Sequence, residues 1–144
     1  MDELESLVCR FCCAQNQIST AYEEFSRQNG CTSTCMQIMY LIYNHPGCTQ
    51  KMLNESSLYP KQTINAVITQ LYKENVVELR ENPDDRRSKA IHYSEEGKRR
   101  ADEFFLKAQR IAYDAMQELT ENERNELVEI TEKFARLMMN NVNR

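Results

Sequence analysis

The chain has 144 residues, of which 41% are hydrophobic and 28% charged, so it can build one ordinary domain with a sizeable core but not two. Its 18 Lys and Arg against 22 Asp and Glu give a formal charge of −4, which excludes a globally basic protein and requires any nucleic-acid surface to be local. With only 3 Gly and 3 Pro, the composition favours long helices over a β-sandwich or a disordered linker.

The first third of the chain predicts two helices. Residues 31–44 are mostly apolar and predict a short buried helix that Thr32 or Ser33 caps. The longer helix before it should span about residues 3 to 28 and end at Gly30. Its side chains recur at alternating spacings of four and three, the pattern of a helix that packs on other helices: Leu4, Val8, Phe11, Gln15, Ile18, Tyr22 and Phe25.

The middle of the chain predicts two further helices. Pro46 and Gly47 end the second helix, and Thr49 is the expected N-cap of a short third helix. A fourth helix begins near Pro60, whose fixed φ suits a first turn. Its inward face carries Ile64, Val67, Ile68 and Leu71, and its outward face carries Gln62, Asn65, Ala66 and Thr69.

A hairpin and two long helices complete the chain. Asn75 can take the left-handed conformation that ends a helix, and residues 76–81 and 90–94 then predict two strands joined by a polar turn. Ser94 should cap a long helix, and Thr120 with Glu123 forms a capping box for the last one. The expected inward residues of the long helix are Ala101, Phe104, Ala108, Ile111 and Ala115, and the last helix carries Leu127, Ile130, Phe134, Leu137 and Met138.

This order of elements predicts a mainly α protein, a winged helix-turn-helix with long N- and C-terminal helices. Three stretches resemble the MarR family of bacterial transcription regulators, and the resemblance covers nearly the whole chain. They are "TQKMLNESS" (Thr49, Gln50, Leu53), "PKQTINAVITQLYKENVV" (Lys61, Thr63, Leu71, Val77) and "PDDRRSKAIHYSEEG" (Pro83, Asp85, Arg87, Gly97). The third is the most specific, because Asp-x-Arg stands shortly before a strand that ends in Ser and a Gly. Leu58 and Asn75 depart from the family pattern, which usually has Gly at both positions, and Leu58 predicts a distorted turn.

The resemblance implies a single domain over residues 1–144. Residues 49–93 would form the DNA-binding winged segment, and residues 3–45 and 94–142 would form a helical dimerisation region. The implied partners are a second copy of the chain and a palindromic DNA operator, together with a small-molecule effector or an oxidant. The effector pocket would lie between the dimer helices and the winged segment, although Tyr22, Tyr40 and Tyr43 are more often core residues than ligand contacts.

Charge supports a local DNA surface. Residues 49–93 hold seven Lys and Arg against six Asp and Glu, a net charge of +1 that leaves −5 for the rest of the chain. Gln62 and Asn65 can bond adenine bidentately in a major groove, with Lys61 and Thr63 nearer phosphates or guanine. Ala66 and Thr69 complete this face. The alternative is that these side chains are only the solvated side of an amphipathic helix.

The polar turn carries Asp85, Arg86 and Arg87, with Lys89 at its end. Such a charged run is commonly just solvated. However, a carboxylate two residues before an arginine can hold the guanidinium and aim it into a narrow minor groove, and the resemblance assigns that role to Arg87.

Six cysteines lie in the first third of the chain, namely Cys9, Cys12, Cys13, Cys31, Cys35 and Cys48. The acidic start "MDELESLV" has neither a basic n-region nor an apolar h-region, and no stretch is long and apolar enough for a membrane span, so we expect reduced thiols and a cytoplasmic protein. With two histidines in the chain, a structural metal is not expected, and several of these thiols should be core packing. Resemblance to the peroxide-sensing branch of the family implies that Cys9 is the redox residue. Cys13 replaces the tyrosine that this branch carries one turn later, and it suggests a resolving thiol. The alternative is that Cys9 is a packing residue and that the signal is a small ligand.

Nothing in the sequence predicts catalysis or a cofactor. There is no Ser, His and Asp arrangement, no Gly-rich phosphate loop and no HExxH string. Three classes stay open: a ligand- or thiol-responsive DNA-binding regulator, most simply a repressor; a winged-helix module that binds protein without specific DNA binding; and an enzyme with an unrecognised site.

Overall fold

The computed structural model describes residues 2–142, and these contain six helices and a small sheet. The described residues form two compact units, divided between Leu106 and Lys107. In chain order the elements are α1 (Glu3–Gln28), α2 (Ser33–Asn44), β1 (Cys48–Thr49), α3 (Gln50–Ser56), α4 (Lys61–Lys73), β2 (Val77–Glu81), β3 (Lys89–Tyr93), α5 (Glu95–Gln117) and α6 (Glu121–Val142). The predicted six helices and hairpin are confirmed.

Local hydrogen bonds set most helix ends. Asp2 and Glu5 form a capping box at the start of α1, and Thr32 and Thr49 accept N-cap hydrogen bonds from Cys35 and Met52. At the end of α1, Gly30 takes φ 76°, and the backbone N–H of Cys31 donates to the Ser26 carbonyl at 3.0 Å, which is a Schellman arrangement. The predictions for Thr32, Thr49 and Gly30 are therefore confirmed.

The sheet has three antiparallel strands in the order β1-β3-β2. The predicted hairpin pairs Val77 with Tyr93 and Glu81 with Lys89. The strand β1, in which Cys48 lies opposite Ile91, was not predicted from the sequence. Two residues are too few to show an alternating pattern, and they form a strand only because β3 offers a free edge.

The main core lies between α2, α4 and the sheet. The predicted inward residues of α4 (Ile64, Val67, Ile68 and Leu71) are all buried there, against Cys35, Ile38 and Ile42 of α2 and Val77 and Ile91 of the sheet. Asn75 takes φ 55°, as predicted, and turns the chain from α4 into β2.

Two predicted inward positions of α5, Ile111 and Ala115, are wrong for the single chain, because both are exposed. The apolar stripes predicted on α1 and α6 are exposed as well: Leu4 is 69% exposed and Ile130 is 64% exposed. The other apolar residues named for α6, together with Val8, Phe11 and Ile18 of α1, share this exposure. Spacing shows which face of a helix is apolar, but it does not show whether the same chain covers that face. None of the described helices is long and apolar enough to cross a membrane.

The turn between α3 and α4 departs from the expectation for Leu58. Ser57 has extended backbone (φ −120°, ψ 155°), and Asn75 is the only residue other than glycine with a positive φ among residues 2–142. Since Leu58 therefore avoids the left-handed conformation, the chain makes this turn without a glycine. The Leu58 side chain is fully exposed.

A close backbone contact joins α5 to the start of the hairpin. The Ser94 hydroxyl accepts a hydrogen bond from the Gly97 N–H at 2.9 Å, which confirms the predicted cap, and it donates to the Asn75 carbonyl at 2.6 Å. A Cβ atom on Gly97 would lie 1.9 Å from the Val76 carbonyl oxygen. Only glycine fits here, because the obstacle is backbone rather than a movable side chain.

We expect Gly97→Ala to destabilise the protein by roughly 2 kcal/mol or more, a magnitude typical of overpacking. In an ordinary helix the same substitution would stabilise by about 1 kcal/mol. Thermal unfolding followed by circular dichroism measures the effect, with Arg100→Ala as an exposed control in the same helix. An alanine variant as stable as the wild type would show that α5 can move away from Val76 at little cost.

Candidate nucleic-acid interface

The outward face of α4 carries most of the predicted DNA contacts. Burial of the opposite face leaves Lys61, Gln62, Asn65, Ala66 and Thr69 exposed, while Thr63 is half-buried. Pro60 stands at the N-cap with φ −57° and accepts the Thr63 and Ile64 N–H groups through its carbonyl. The helix therefore starts without a side chain covering its first turn.

The hairpin turn is a tight network rather than a loose loop. The Asn82 side chain donates to the Ser88 hydroxyl at 2.9 Å and accepts the Asp84 N–H at 3.1 Å, and the Ser88 N–H donates to the Asp85 carbonyl at 3.1 Å. These bonds close residues 82–88 on themselves and leave Arg86 and Arg87 exposed at the tip.

The contact expected between Asp85 and the Arg87 guanidinium is wrong. The Asp85 carboxylate instead accepts the backbone N–H of Arg87 at 2.9 Å, and no ion pair joins the two side chains in the described part of the chain. An Asp side chain two residues before an N–H closes this local turn readily, because the carboxylate reaches the near backbone more easily than a long flexible guanidinium. Asp85 thus orients Arg87 through its backbone.

A concave groove of about 590 Å³ lies between α3, α4 and the hairpin. We call it the basic groove. Its charged lining residues are Lys51, Lys61, Arg87 and Lys89, and no carboxylate among residues 2–142 lines it. The remaining lining residues are Gln50, Asn54, Ile68 and Thr69, with Asn65, Tyr72, Leu79, Ser88 and Ile91. The fold thus collects positive charge and amide groups in a protein whose net charge is −4.

The basic groove unites part of the predicted set. Lys61, Asn65, Thr69, Arg87 and Lys89 line it, although they come from two separate elements. Ala66 instead lies in a shallower depression of α4, beside Gln70 and Lys73. The other predicted residues, Gln62, Thr63, Asp85 and Arg86, lie outside both surfaces.

The sequence analysis missed the contribution of α3. Gln50, Lys51 and Asn54 line the basic groove from this helix, on which no contact residue was predicted. A helix of 7 residues is too short for a clear periodicity. One signal was present, since Lys51 and Asn54 stand three apart on either side of the buried Leu53 and so share a face.

Most cations of the basic groove are available to a partner. Lys51 lies 4.0 Å from Glu55 within α3. Among the described residues, no carboxylate lies within 4.0 Å of the charged groups of Lys61, Arg87 or Lys89. An unpaired, solvated cation does not have to break an ion pair when it binds a phosphate, so Lys61, Arg87 and Lys89 are suited to bind a polyanion.

The six thiols fall into different environments. Cys9, Cys12 and Cys13 are exposed on α1, and Cys35 and Cys48 are buried. Burial raises the pKa of Cys48 to about 11. The half-buried Cys31 has a lowered pKa of about 7, chiefly because the Cys35 thiol hydrogen bonds to it. No described group of three or more His, Cys, Asp or Glu residues is arranged to hold a metal ion.

The tyrosines considered as ligand contacts have packing partners. The Tyr43 ring lies 5.0 Å from the Phe105 ring, and its hydroxyl hydrogen bonds to Asp102. Lys98 also contacts Asp102, and hydrogen bonds from both partners lower the pKa of that carboxyl. Tyr40 packs on Phe105 at 5.6 Å. These contacts agree with a structural role.

A helix-turn-helix, α3 and α4, followed by a β-hairpin, with the basic groove between α4 and the hairpin, defines the winged-helix class. A family model described as the MarR family matches residues 29–88. The HTH-type transcriptional regulator YwhA of Bacillus subtilis is 32% identical over 99 residues, which are 68% of this chain and 70% of that protein. The chain belongs to the MarR family of transcription regulators.

Solved structures share the whole fold at low sequence identity. A MarR family transcription regulator superposes with a TM-score of 0.85 at 17% identity, over 99% of this chain and 95% of its own. The Neisseria meningitidis MarR family regulator gives 0.71 at 22%, over 99% and 98%. A mutant of S. aureus MepR, bound to an oligodeoxyribonucleotide, gives 0.64 at 16%, over 91% and 97%. These similarities establish the winged-helix fold.

Proposed function

We propose that this protein is a cytoplasmic, dimeric repressor that binds a palindromic DNA operator and is released by a small ligand or by thiol oxidation. The basic groove is the observation that carries the DNA-binding part. It joins recognition-helix and hairpin residues in one surface, with four cations and no carboxylate, in an acidic protein. The oligodeoxyribonucleotide bound to the MepR relative supports the same use of the fold.

The exposed side chains of α4 divide into two roles. Gln62 and Asn65 carry amides, which can pair with adenine in the major groove, and Ala66 and Thr69 are short enough to let the helix approach the bases. Lys61 and Thr63 lie in the first turn, where a phosphate or guanine would be in reach. Lys51 and Lys89 stand on either side of α4 and would hold the DNA backbone.

The hairpin turn at residues 82–88, which we call the wing, would enter the neighbouring minor groove of the DNA. Its internal hydrogen bonds restrict the loop in advance, so that less conformational entropy is lost when Arg86 and Arg87 meet DNA. Of the two, Arg87 lines the basic groove and has its backbone held by Asp85. We therefore assign the minor-groove contact to Arg87.

Dimerisation would cover the exposed apolar faces of the long helices. On α1, Leu4, Leu7, Val8 and Ile18 are exposed, and on α6 Leu127, Ile130 and Leu137 are exposed. Contiguous apolar surface of this kind on a regular face commonly marks a protein interface. A two-fold dimer would bind two half-sites about one DNA turn apart. Residues 3–45 and 94–142 would supply this region, and residues 49–93 the DNA-binding part of a single domain.

The release signal has two forms in this proposal, a small-molecule effector or an oxidant. For the oxidant, Cys9 is the proposed sensor, because it is exposed on the apolar part of α1 that a second copy would approach. Cys13 follows one turn later on the same helix. Sulfenic acid or a mixed disulfide at Cys9 would add polar bulk there and change the spacing of the two recognition helices.

The wing is tested by Arg87→Ala, which should weaken binding to a duplex selected from a random library by about tenfold, or roughly 1.4 kcal/mol. The fold should be unaffected because the residue is exposed. Asp85→Ala should act in the same direction but more mildly, since it frees the Arg87 N–H, whereas Asp85→Asn keeps an acceptor there and should bind as the wild type does.

Arg99→Ala is the matched control for the wing, because this exposed arginine of α5 is paired with Glu96 and Glu103. Equal affinity of Arg87→Ala and Arg99→Ala at physiological salt would remove the wing from the mechanism. If the wild type itself shows no salt-dependent duplex binding, the protein-interaction module becomes the better interpretation.

Base readout is tested by Gln62→Ala and Asn65→Ala, each of which should cost about 1–3 kcal/mol on the selected duplex and relax its sequence preference. Lys61→Ala and Lys51→Ala should instead weaken all duplexes alike and reduce the salt slope by about one. Titrations on selected and scrambled duplexes make the comparison. Equal losses on both duplexes for the amide variants would mean that they contact only the DNA backbone.

Sedimentation at micromolar concentration should give a dimer for the wild type, because its exposed apolar faces need a partner. Ile130→Glu places a charge on the apolar face of α6 and should shift the population to smaller or unfolded species, while the exposed control Glu132→Gln should leave the dimer intact. A folded wild-type monomer at these concentrations would contradict the dimer.

A further inference from the structure

Three sulfur atoms and a hydroxyl group meet at the junction of α1 and α2. Ser26 is completely buried there, with its oxygen 2.8 Å from the Tyr22 carbonyl oxygen and 3.3 Å from the sulfur of Met36. Cys31 is half-buried beside them and packs against the core cluster that contains the buried Cys35. The junction therefore holds an accessible thiol in contact with a protected one.

The backbone explains why the two sulfurs meet. The Schellman turn at Gly30 brings Cys31 back onto α1, where its N–H donates to the Ser26 carbonyl. Cys31 precedes the N-cap Thr32 and so lies outside α2, whereas Cys35 lies in the first turn of that helix. Two thiols four residues apart within a straight helix cannot easily reach disulfide geometry. Because Cys31 lies outside α2, this restriction does not apply to Cys31 and Cys35.

The surroundings favour ionisation of Cys31 over Cys35. A hydrogen bond from Cys35 lowers the pKa of Cys31, and the start of α2 adds the favourable end of a helix dipole. The pKa of Cys35 is raised because its proton is held by Cys31, because it is buried, and because Glu74 lies near enough to repel a second negative charge. Cys31, the more accessible of the two thiols, is therefore the better nucleophile.

We propose that Cys31 and Cys35 form a dithiol site that exchanges with low-molecular-weight disulfides. The Cys31 thiolate attacks one sulfur of a small disulfide, forming a mixed disulfide and releasing one small thiolate. The Cys35 thiol, after losing its proton to that thiolate or to water, attacks the Cys31 sulfur and displaces the second small thiolate. Overall, the two protein thiols are oxidised to one disulfide while one small disulfide is reduced to two thiols.

This site is separate from the thiols of α1. Cys9 and Cys13 both lie inside α1, where four residues of straight helix separate them. Cys48 is buried with a raised pKa, so it is a poor nucleophile. A thiol is most effective in disulfide exchange when its pKa is near the ambient pH. The pKa of Cys31, lowered to about 7, meets this condition at neutral pH.

The experiment uses the reduced full-length protein with glutathione disulfide at neutral pH, quenched at intervals with iodoacetamide and mapped by peptide mass. The wild type should lose two hydrogens as an intramolecular Cys31–Cys35 disulfide. Cys35→Ser should trap glutathione on Cys31, about fivefold faster than on the exposed Cys12, which serves as the internal reference. Cys31→Ser should leave Cys35 reduced.

Circular dichroism checks each variant, and Cys35→Ala replaces Cys35→Ser if a hydroxyl in the core unfolds the protein. Glutathione that stays on Cys31 in the wild type would overturn the role of Cys35. A rate at Cys31 no greater than that at Cys12 would overturn the nucleophile. Neither readout uses DNA, so failure of this site and failure of the proposed DNA binding are distinguished.

Discussion

The candidate nucleic-acid interface depends on which face of α4 is buried in the core. Ile64, Val67, Ile68 and Leu71 are buried together, and each such side chain contributes roughly 1.5–3 kcal/mol when fully removed from water. The exposed ion pairs elsewhere on the chain contribute about 0–1 kcal/mol each. Apolar packing therefore decides which face of α4 points outward, and the polar face follows from it.

The same packing sets the distance from α4 to the wing. Val77 and Ile91 belong to the core that buries α4, and the hairpin extends from them to the turn at residues 82–88. At the other end, the contact of Gly97 with the Val76 carbonyl fixes where α5 leaves the hairpin. Lys61 and Arg87 thus line one groove because both are carried by strands and helices that share one core.

Local sequence patterns correctly predicted the features that a single helix or turn determines by itself. The bounds of α1, the caps Thr32 and Thr49, the left-handed Asn75 and the inward face of α4 all depend on residues close in sequence. What it missed depends on residues far apart: the strand β1 exists through β3, and Lys51 joins the groove only when α3 packs beside α4. The partner of Asp85 is local as well. Its carboxylate accepts the backbone N–H of Arg87 in a turn, whereas the opposite charges had suggested a pair with the guanidinium.

The α1–α2 junction adjoins the core that orients α4. Cys35 is buried in the same cluster as Ile64 and Val67, while Cys31 packs at the edge of that cluster. In our proposal a bond between the two sulfurs would draw these side chains together at this edge. Since a densely packed core does not absorb a displaced side chain without a shift, we expect the packing of α4 to respond to thiol chemistry at the junction.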